Sequence, residues 1–429
     1  MKKTNTKFKE TEIGFIPEEW KILAVKDVAV INDKNVSKNN GIDFIQYLDI
    51  ASVEQGVITS LQELNIENAP SRAKRILNDN DIVISTVRPN LKHYAFIKNV
   101  QADWIASTGF AVVTPKRINQ KFLYFALIRD EVTEYLSGIA ASQTSTYPAI
   151  NPDVIEDLLI AVPSENEQQK IAETLSSLDD KIEINRKIND NLEKIASALF
   201  KRWFVDFEFP DKDGKPYKSN GGKMIDSGFG EIPDEWEIGS VSDLISIDSG
   251  FSFSSSIFNE DGQYGLVTIK NVQDGSFLRQ CSNYIKHLPD KMPDYCKLKN
   301  SDILLSLTGN VGRVCVVNGK NFLLNQRVAA LNPYKEFNRA FTYFLFRQKD
   351  FQDTLINISR GTAQQNLSPI ETKNLEIVIA KEEILKSFGK ISNGIFLNLL
   401  NNLEEMENLI SIRDSLLPKL MNGKIRIKT

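Results

Sequence analysis

Two stretches of this 429-residue chain limit its possible folds most, because each repeats apolar residues at heptad spacing over many turns of helix. Within residues 168–200 the stripe is Ile171, Leu175, Leu178, Ile182, Asn185, Asn189, Leu192, Ala196 and Leu199. Within 385–417 it is Phe388, Ser392, Ile395, Leu399, Asn402, Met406, Leu409, Arg413 and Leu416, at the same phase. A helix of this length measures ~50 Å at ~1.5 Å per residue, longer than most helices that pack on a single domain. The spacing therefore predicts two long helices that act together as a helix-to-helix spacer. An asparagine inside an apolar seam costs stability and fixes register, so the matched Asn185 and Asn402 are expected to lie close together near the middle of the pair. Ile188, Ile195, Phe396, Leu403, Ile410 and Leu417 lie beside the stripes and exceed what one seam requires, which predicts that further helices of a partner pack on them.

The rest of the chain repeats in the same order. IGFIPEEW at 13–20 is echoed by GFGEIPDEW at 228–236, and DIVISTVRPN from Asp81 by DILLSLTGNVG from Asp302. STGFAVVTPK from Ser107 answers NQRVAALNPYK from Asn325, and FLYFALIRDEVTEYL from Phe122 answers FTYFLFRQKDFQDTL from Phe341. INPDVIEDLLIAVP from Ile150 answers LSPIETKNLEIVIA from Leu367, and each half then enters its long helix. Strands are expected at 81–87, 111–114, 302–307 and 314–317, and helices at 122–136 and 341–356. The Gly- and Pro-containing stretch 208–222 reads as an exposed linker. Pro418 and Gly423 should close the last helix, leaving 425–427 as a possible short strand.

Composition removes whole classes of function. With 41% hydrophobic and 25% charged residues the chain is that of an ordinary globular protein of two or three domains. No apolar run is long enough for a membrane span and no signal-peptide core follows the lysine-rich start, which places the expected site of action in the cytoplasm. Cys281, Cys296 and Cys315 are too few and too scattered for a disulfide framework or a zinc site. No phosphate loop is present, and GNVG at Gly309 and NPYK at Asn332 fit turns better than cofactor or flipped-base motifs. Two histidines, His93 and His287, do not supply a hydrolytic triad or a metal hydrolase. The formal charge of −4 neither demands nor forbids nucleic acid, since basic residues can gather on one face.

IPEEW and IPDEW opening the two halves, ENEQQKIAETLSSLDDKIEINRKIN from Glu165, LFKRWFVDFEFP from Leu199 and LLPKLMNGKIRI from Leu416 together resemble the specificity subunit of type I restriction-modification enzymes. The resemblance covers essentially the whole chain. It implies an α+β architecture with an internal pseudo-twofold repeat, in which two similar α/β target-recognition domains are separated by two long antiparallel helices. The implied division is recognition domain 1 over 1–163, spacer helix over 164–207, linker over 208–222, recognition domain 2 over 223–380, and spacer helix with C-terminal tail over 381–429. It also implies a non-catalytic reader of a bipartite DNA target that scaffolds two adenine-methyltransferase subunits and a restriction subunit. S-adenosylmethionine would then belong to the methyltransferase partners, with no cofactor on this chain. The second helical region departs from the pattern, beginning KEEILKSFGK where the first has EQQKIAE.

A sequence reader needs Arg, Lys, Asn, Gln, Ser or Thr presented from firm strand ends. In the first half the candidates are Arg72, Lys74, Arg75, Arg88, Asn90, Lys92, His93 and Tyr94, with Gln143, Thr144, Ser145 and Thr146 in the SQTSTYP loop. In the second they are Lys270, Asn271, Asn310, Arg313, Gln326 and Arg327, with Arg360, Thr362, Gln364 and Gln365 in RGTAQQN. The two polar loops occupy equivalent places before a helix start and differ in sequence, as readers of different half-sites would. Two rival readings are a stand-alone DNA methyltransferase or nuclease and a coiled-coil scaffold with no DNA role.

Overall fold

The computed structural model describes residues 7–36, 43–101, 103–142, 148–361 and 365–427. The chain forms two compact units, the first from residues 1–181 with 409–429 and the second from 182–408.

The two units repeat one topology. In the first, a hairpin of Phe8–Thr11 and Gly14–Pro17 precedes Lys21–Ala24, which pairs antiparallel with Leu159–Val162. A four-stranded antiparallel sheet follows in the order Tyr94–Phe96, Ile82–Ser85, Phe110–Pro115 and Ala29–Ile31. A second sheet orders Gln62–Asn65, Phe44–Leu48, Trp104–Ser107 and Ala73–Ile76, and its central pair is parallel. The second unit has the hairpin Met224–Ser227 with Gly230–Pro233 and the pair Glu237–Ser240 with Glu376–Ile379. Its first sheet runs Val314–Val316, Ile303–Ser306, Val328–Pro333 and Ile245–Ser249, the same order as before. Its second sheet runs Tyr284–Ile285, Tyr264–Val267, Phe322–Leu324 and Lys297–Leu298, again with a parallel central pair. The two central strands of each first sheet are buried almost continuously, as expected where both faces are covered.

Each predicted mid-domain helix is two helices. Gln120–Leu127 is followed by Asp130–Ser142, and Arg339–Arg347 by Lys349–Ile358. In the second case Gln348 is extended, with φ −65° and ψ 133°, so the apolar face is re-aimed between the two segments.

The long helices are Glu165–Phe200 and Glu382–Met421, each with glutamates in its first turn where the macrodipole favours negative charge. Each contributes to both units. In the first unit Ile171 and Leu175 share a core with Leu417 and Leu420, and Arg413 Nη1 donates to Asp179 Oδ1 at 2.9 Å. In the second unit Asn402 Nδ2 donates to Asn189 Oδ1 at 2.8 Å, and Asn189 Nδ2 to the Leu399 carbonyl at 3.2 Å. Asn185 Nδ2 donates to Glu405 Oε2 at 2.7 Å. The pairing is antiparallel within each unit. None of the heptad positions named for pairing is exposed: Ile171, Leu175, Ile182, Asn185, Phe388 and Leu399 are buried, and Leu178, Leu192, Leu199, Ile395, Asn402, Met406, Leu409 and Leu416 are half-buried or less exposed. Asn185 and Asn402 do not bond each other. The antiparallel register places Asn189 opposite Asn402 and Glu405 opposite Asn185, so each asparagine meets a different polar partner.

Two local expectations change. The stretch 208–222 is mostly exposed, but it folds back through a Pro210–Pro216 bridge and buries Phe209 against Trp236, at 5.1 Å between ring centroids. The last helix runs through Pro418 to Met421 and is closed by Gly423 at φ 71°, while 425–427 forms no strand. Gly423 has no room for a side chain, since a Cβ would lie 2.4 Å from Pro17 Cγ. Beyond it, Arg426 sits over Trp20 and holds Glu167 and Glu19.

Among the described residues no helix is long and apolar enough to cross a membrane. The three cysteines are free and buried.

Candidate nucleic-acid interface

In each unit one end of the first sheet gathers the loops that carry the polar candidates, and backbone hydrogen bonds tie those loops together. In the first unit, Thr86 N donates to the Gly109 carbonyl at 2.9 Å and Ile150 N to the Thr86 carbonyl at 2.8 Å. Arg88 N donates to the Pro148 carbonyl at 2.8 Å, and Thr108 N to the Arg72 carbonyl at 2.8 Å. Arg88 and Lys92 flank the single helical turn Pro89–Leu91 with φ of 48° and 56°. Left-handed backbone at residues other than glycine costs about 1 kcal/mol each and persists where surrounding bonds impose it, commonly at functional sites.

The second unit builds the same rim with different residues. Leu307 N donates to the Arg327 carbonyl at 3.0 Å, Leu367 N to the Leu307 carbonyl at 2.8 Å, and Thr308 bridges to Asn366. Ser306 Oγ caps the turn between the two strands: it donates to the Asn310 carbonyl and accepts from Arg313 N at 3.1 Å. Gly309 and Gly312, at φ 71° and 82°, permit that turn. Gln326 N reaches the Phe251 carbonyl at 3.1 Å, which adds the 250–253 loop to the rim. That loop was not legible from sequence, because GFSF carries no charge or amide to single it out.

The rim sorts the candidates. Arg88 and Asn90 are exposed beside each other in sequence and space, and Gln326, Arg327, Asn310 and Arg360 are exposed on the second rim. Arg360 pairs with Glu371 while most of its side chain faces solvent. Gln365 is exposed; Thr362 and Gln364, like Gln143, Thr144, Ser145 and Thr146, lie outside the described residues. Arg72 is exposed and 3.5 Å from Asp49, and Lys74 and Lys270 are exposed. Lys92 is drawn to Asp130 at 2.6 Å.

Four candidates have their side chains engaged inside the fold. Asn271 is 1% exposed; its amide donates to the Leu278 and Gln280 carbonyls at 2.8 and 3.0 Å and its oxygen accepts from Thr268. His93 Nδ1 meets the Val53 carbonyl. Tyr94 packs against Tyr124, and burial pushes its hydroxyl up to about 12. Arg75 bonds Asn35 Oδ1 at 2.8 Å and burial lowers its pKa.

The expected partner face also divides. Ile188 and Ile195 are exposed, joined by Ile184 one turn earlier, which the heptad reading passed over. Phe396 and Leu417 are not available to a partner: Phe396 is 3% exposed and packs on Tyr343, and Leu417 is buried in the first unit's core. Leu403 and Ile410 are partly exposed.

Comparison with known proteins bears on the family and the fold. The family model of the type I restriction modification DNA specificity domain matches twice, over residues 17–194 and 233–406. The MjaIX specificity subunit of Methanocaldococcus jannaschii is 30% identical over 438 residues, covering 99% of this chain and 97% of the relative. The HindI specificity subunit of Haemophilus influenzae is 28% identical, covering 95% of this chain and 100% of that one. The crystal structure of the type I restriction-modification S subunit from M. genitalium shares the fold at a TM-score of 0.53 and 16% identity, over 97% of this chain and 99% of the other. Two matched domains, each ending in a long helix and carrying a polar rim, make this chain a member of the type I restriction-modification DNA specificity family.

Proposed function

We propose that the chain reads a bipartite DNA target, one half-site per rim, and scaffolds two adenine-methyltransferase subunits and a restriction subunit in the cytoplasm. The chain is the non-catalytic component, and S-adenosylmethionine is carried by the methyltransferases. The observation that carries the reading is the repeated topology with unlike rims: RPNLKH in the first unit stands where TGNVGR stands in the second. A scaffold without a DNA role gives no reason for such divergence on one common frame. Exposed Ile184, Ile188 and Ile195 supply an apolar stripe on which a methyltransferase helix can dock, since a patch of this kind is seldom left uncovered.

Mapping modified adenines across the host genome by single-molecule sequencing tests the proposal. The expected result is a motif of two short defined blocks at one fixed gap, lost when the gene is deleted. A continuous motif, or methylation unchanged by the deletion, would overturn it. Methyl transfer by the purified chain alone would favour a self-sufficient enzyme.

A further inference from the structure

We infer that Arg313 reads a guanine in the half-site of the second unit, with Gln273 and Asn310 as the positioning residues that fix its guanidinium. The inference rests on the DNA-reading role proposed above and specifies the base recognised at that site.

Arg313 opens the strand Val314–Val316, so its backbone is fixed on the rim. Its Nη1 donates to Gln273 Oε1. With the Asn310 amide turned so that its oxygen faces the guanidinium, that oxygen accepts from Nη1 and Nη2 at 3.2 and 3.3 Å. The orientation of Gln273 is set independently, because its Nε2 donates to the Lys270 carbonyl at 2.8 Å and its oxygen must therefore face Arg313. Gln273 belongs to the hairpin Val272–Gln273 with Ser276–Phe277, whose turn residue Gly275 donates its N–H to the Val314 carbonyl at 2.8 Å. Gln352 adds bonds to Asp274 Oδ1 at 3.1 Å and the Gly312 carbonyl at 3.4 Å, clamping hairpin and turn together.

A guanidinium has five N–H donors in a plane. The two acceptors use both hydrogens of Nη1 and one of Nη2. What remains is the Nε–H and the second Nη2–H, two parallel donors on one edge. That edge matches the O6 and N7 acceptors of guanine in the major groove and no other base. Bracing also removes the rotamer entropy that an unsupported arginine would lose on binding.

The first unit shows that this is not a generic feature of the frame. There the equivalent strand-opening residue is His93, placed by the same bond from its carbonyl to a serine N–H (Ser85 in one unit, Ser306 in the other). His93 turns to the Val53 carbonyl and presents no fork. Among the described residues, this braced fork at the strand-opening position is a feature of the second unit's rim and not of the first's.

The test uses the chain assembled with its methyltransferase partner and duplexes carrying the mapped target. Each guanine of the second half-site is replaced in turn by 7-deazaguanine, which lacks the N7 acceptor. The second half-site is the one whose recognition changes when residues 360–366 are exchanged. In the unaltered complex one position should weaken binding about tenfold or more. Gln273→Ala should cut that penalty to about threefold or less, while Gln273→Glu, which keeps an acceptor, should preserve it; Arg313→Ala should abolish it. Penalties in the first half-site should not move in any variant. No sensitive guanine, or a sensitivity that survives Arg313→Ala or Gln273→Ala, would overturn the assignment while leaving a two-site reader intact. Absence of any sequence preference would remove the DNA-reading role and the assignment with it.

Discussion

Trp20 and Trp236 occupy the same place in the two units and are closed by opposite chemistry. Trp236 lies under a stack of rings, with Phe209 at 5.1 Å and 24° and Tyr217 at 4.6 Å and 18° from Phe209. Trp20 donates its indole N–H to Glu167 at 3.2 Å, and Arg426 binds the same carboxylate at 2.5 and 2.9 Å while its Nη1 reaches Glu19 at 2.6 Å. Glu167 is 4% exposed, so its charge is tolerated only because Arg426 and the indole answer it. One frame thus accepts an aromatic lid or an ionic one, which shows that its shape is set by the strands and long helices and not by the chemistry at this seam.

Exchanging residues 360–366 should have the largest effect, a loss of about a hundredfold or more at one half-site with the other unchanged, read by binding to single-half-site mutants of the target. Equal loss at both would mean the loop supports folding or assembly. Next comes Phe209→Ala, which should cost about 3–4 kcal/mol and raise hydrogen exchange only within residues 182–408. Arg426→Ala should cost about 2–3 kcal/mol within the first unit, and adding Glu167→Gln should restore part of it because no lone buried charge then remains.

Asp179 and Arg413 give a pH-dependent comparison. Burial raises the Asp179 pKa even with Arg413 beside it. An acid whose folded pKa lies above its unfolded value is least costly when protonated, and its penalty grows as pH rises through the folded pKa. Arg413→Met should therefore destabilise the first unit by about 2 kcal/mol at neutral pH and by less as pH falls toward the ordinary carboxylate range, measured by exchange at several pH values. A pH-independent loss would show that Arg413 acts through packing.

The smallest effects concern the departure in the second helical region. Gly389 packs against the carbonyl of Phe337, which an added Cβ would approach to 2.4 Å, whereas the matching position in the first helix is the buried Ala172. KEEILKSFGK thus differs where the second unit brings backbone against its helix. Gly389→Ala should destabilise the second unit by about 1–3 kcal/mol despite its better helix propensity, while Ala172→Gly costs the first about 1 kcal/mol.

The duplication and the heptad stripes were legible because they are long patterns that survive local variation. The parallel central pair of each second sheet was not, since strands of four residues leave too little periodicity. Partner choice along the seam was also hidden: matching Asn185 to Asn402 by phase ignores that an antiparallel register reflects one helix onto the other, bringing Asn189 and Glu405 into play. At the rims, the described segments singled out from sequence come together at one end of each first sheet, but sequence could not tell which polar side chains the fold uses itself. Asn271 is bound by backbone, and Gln273, two residues on, escaped notice because a lone glutamine carries no signal until its neighbour Arg313 is seen.

The division of the chain between the units bears on how the molecule is made. The second unit is one uninterrupted segment, and all of it has been synthesised before residues 409–429 of the first unit are translated. Leu417, Leu420 and Met421 complete the core around Ile171 and Leu175, so the half of the protein begun first is finished last. A premature stop before residue 409 should therefore release a chain whose later half is folded and whose earlier half remains open to proteases.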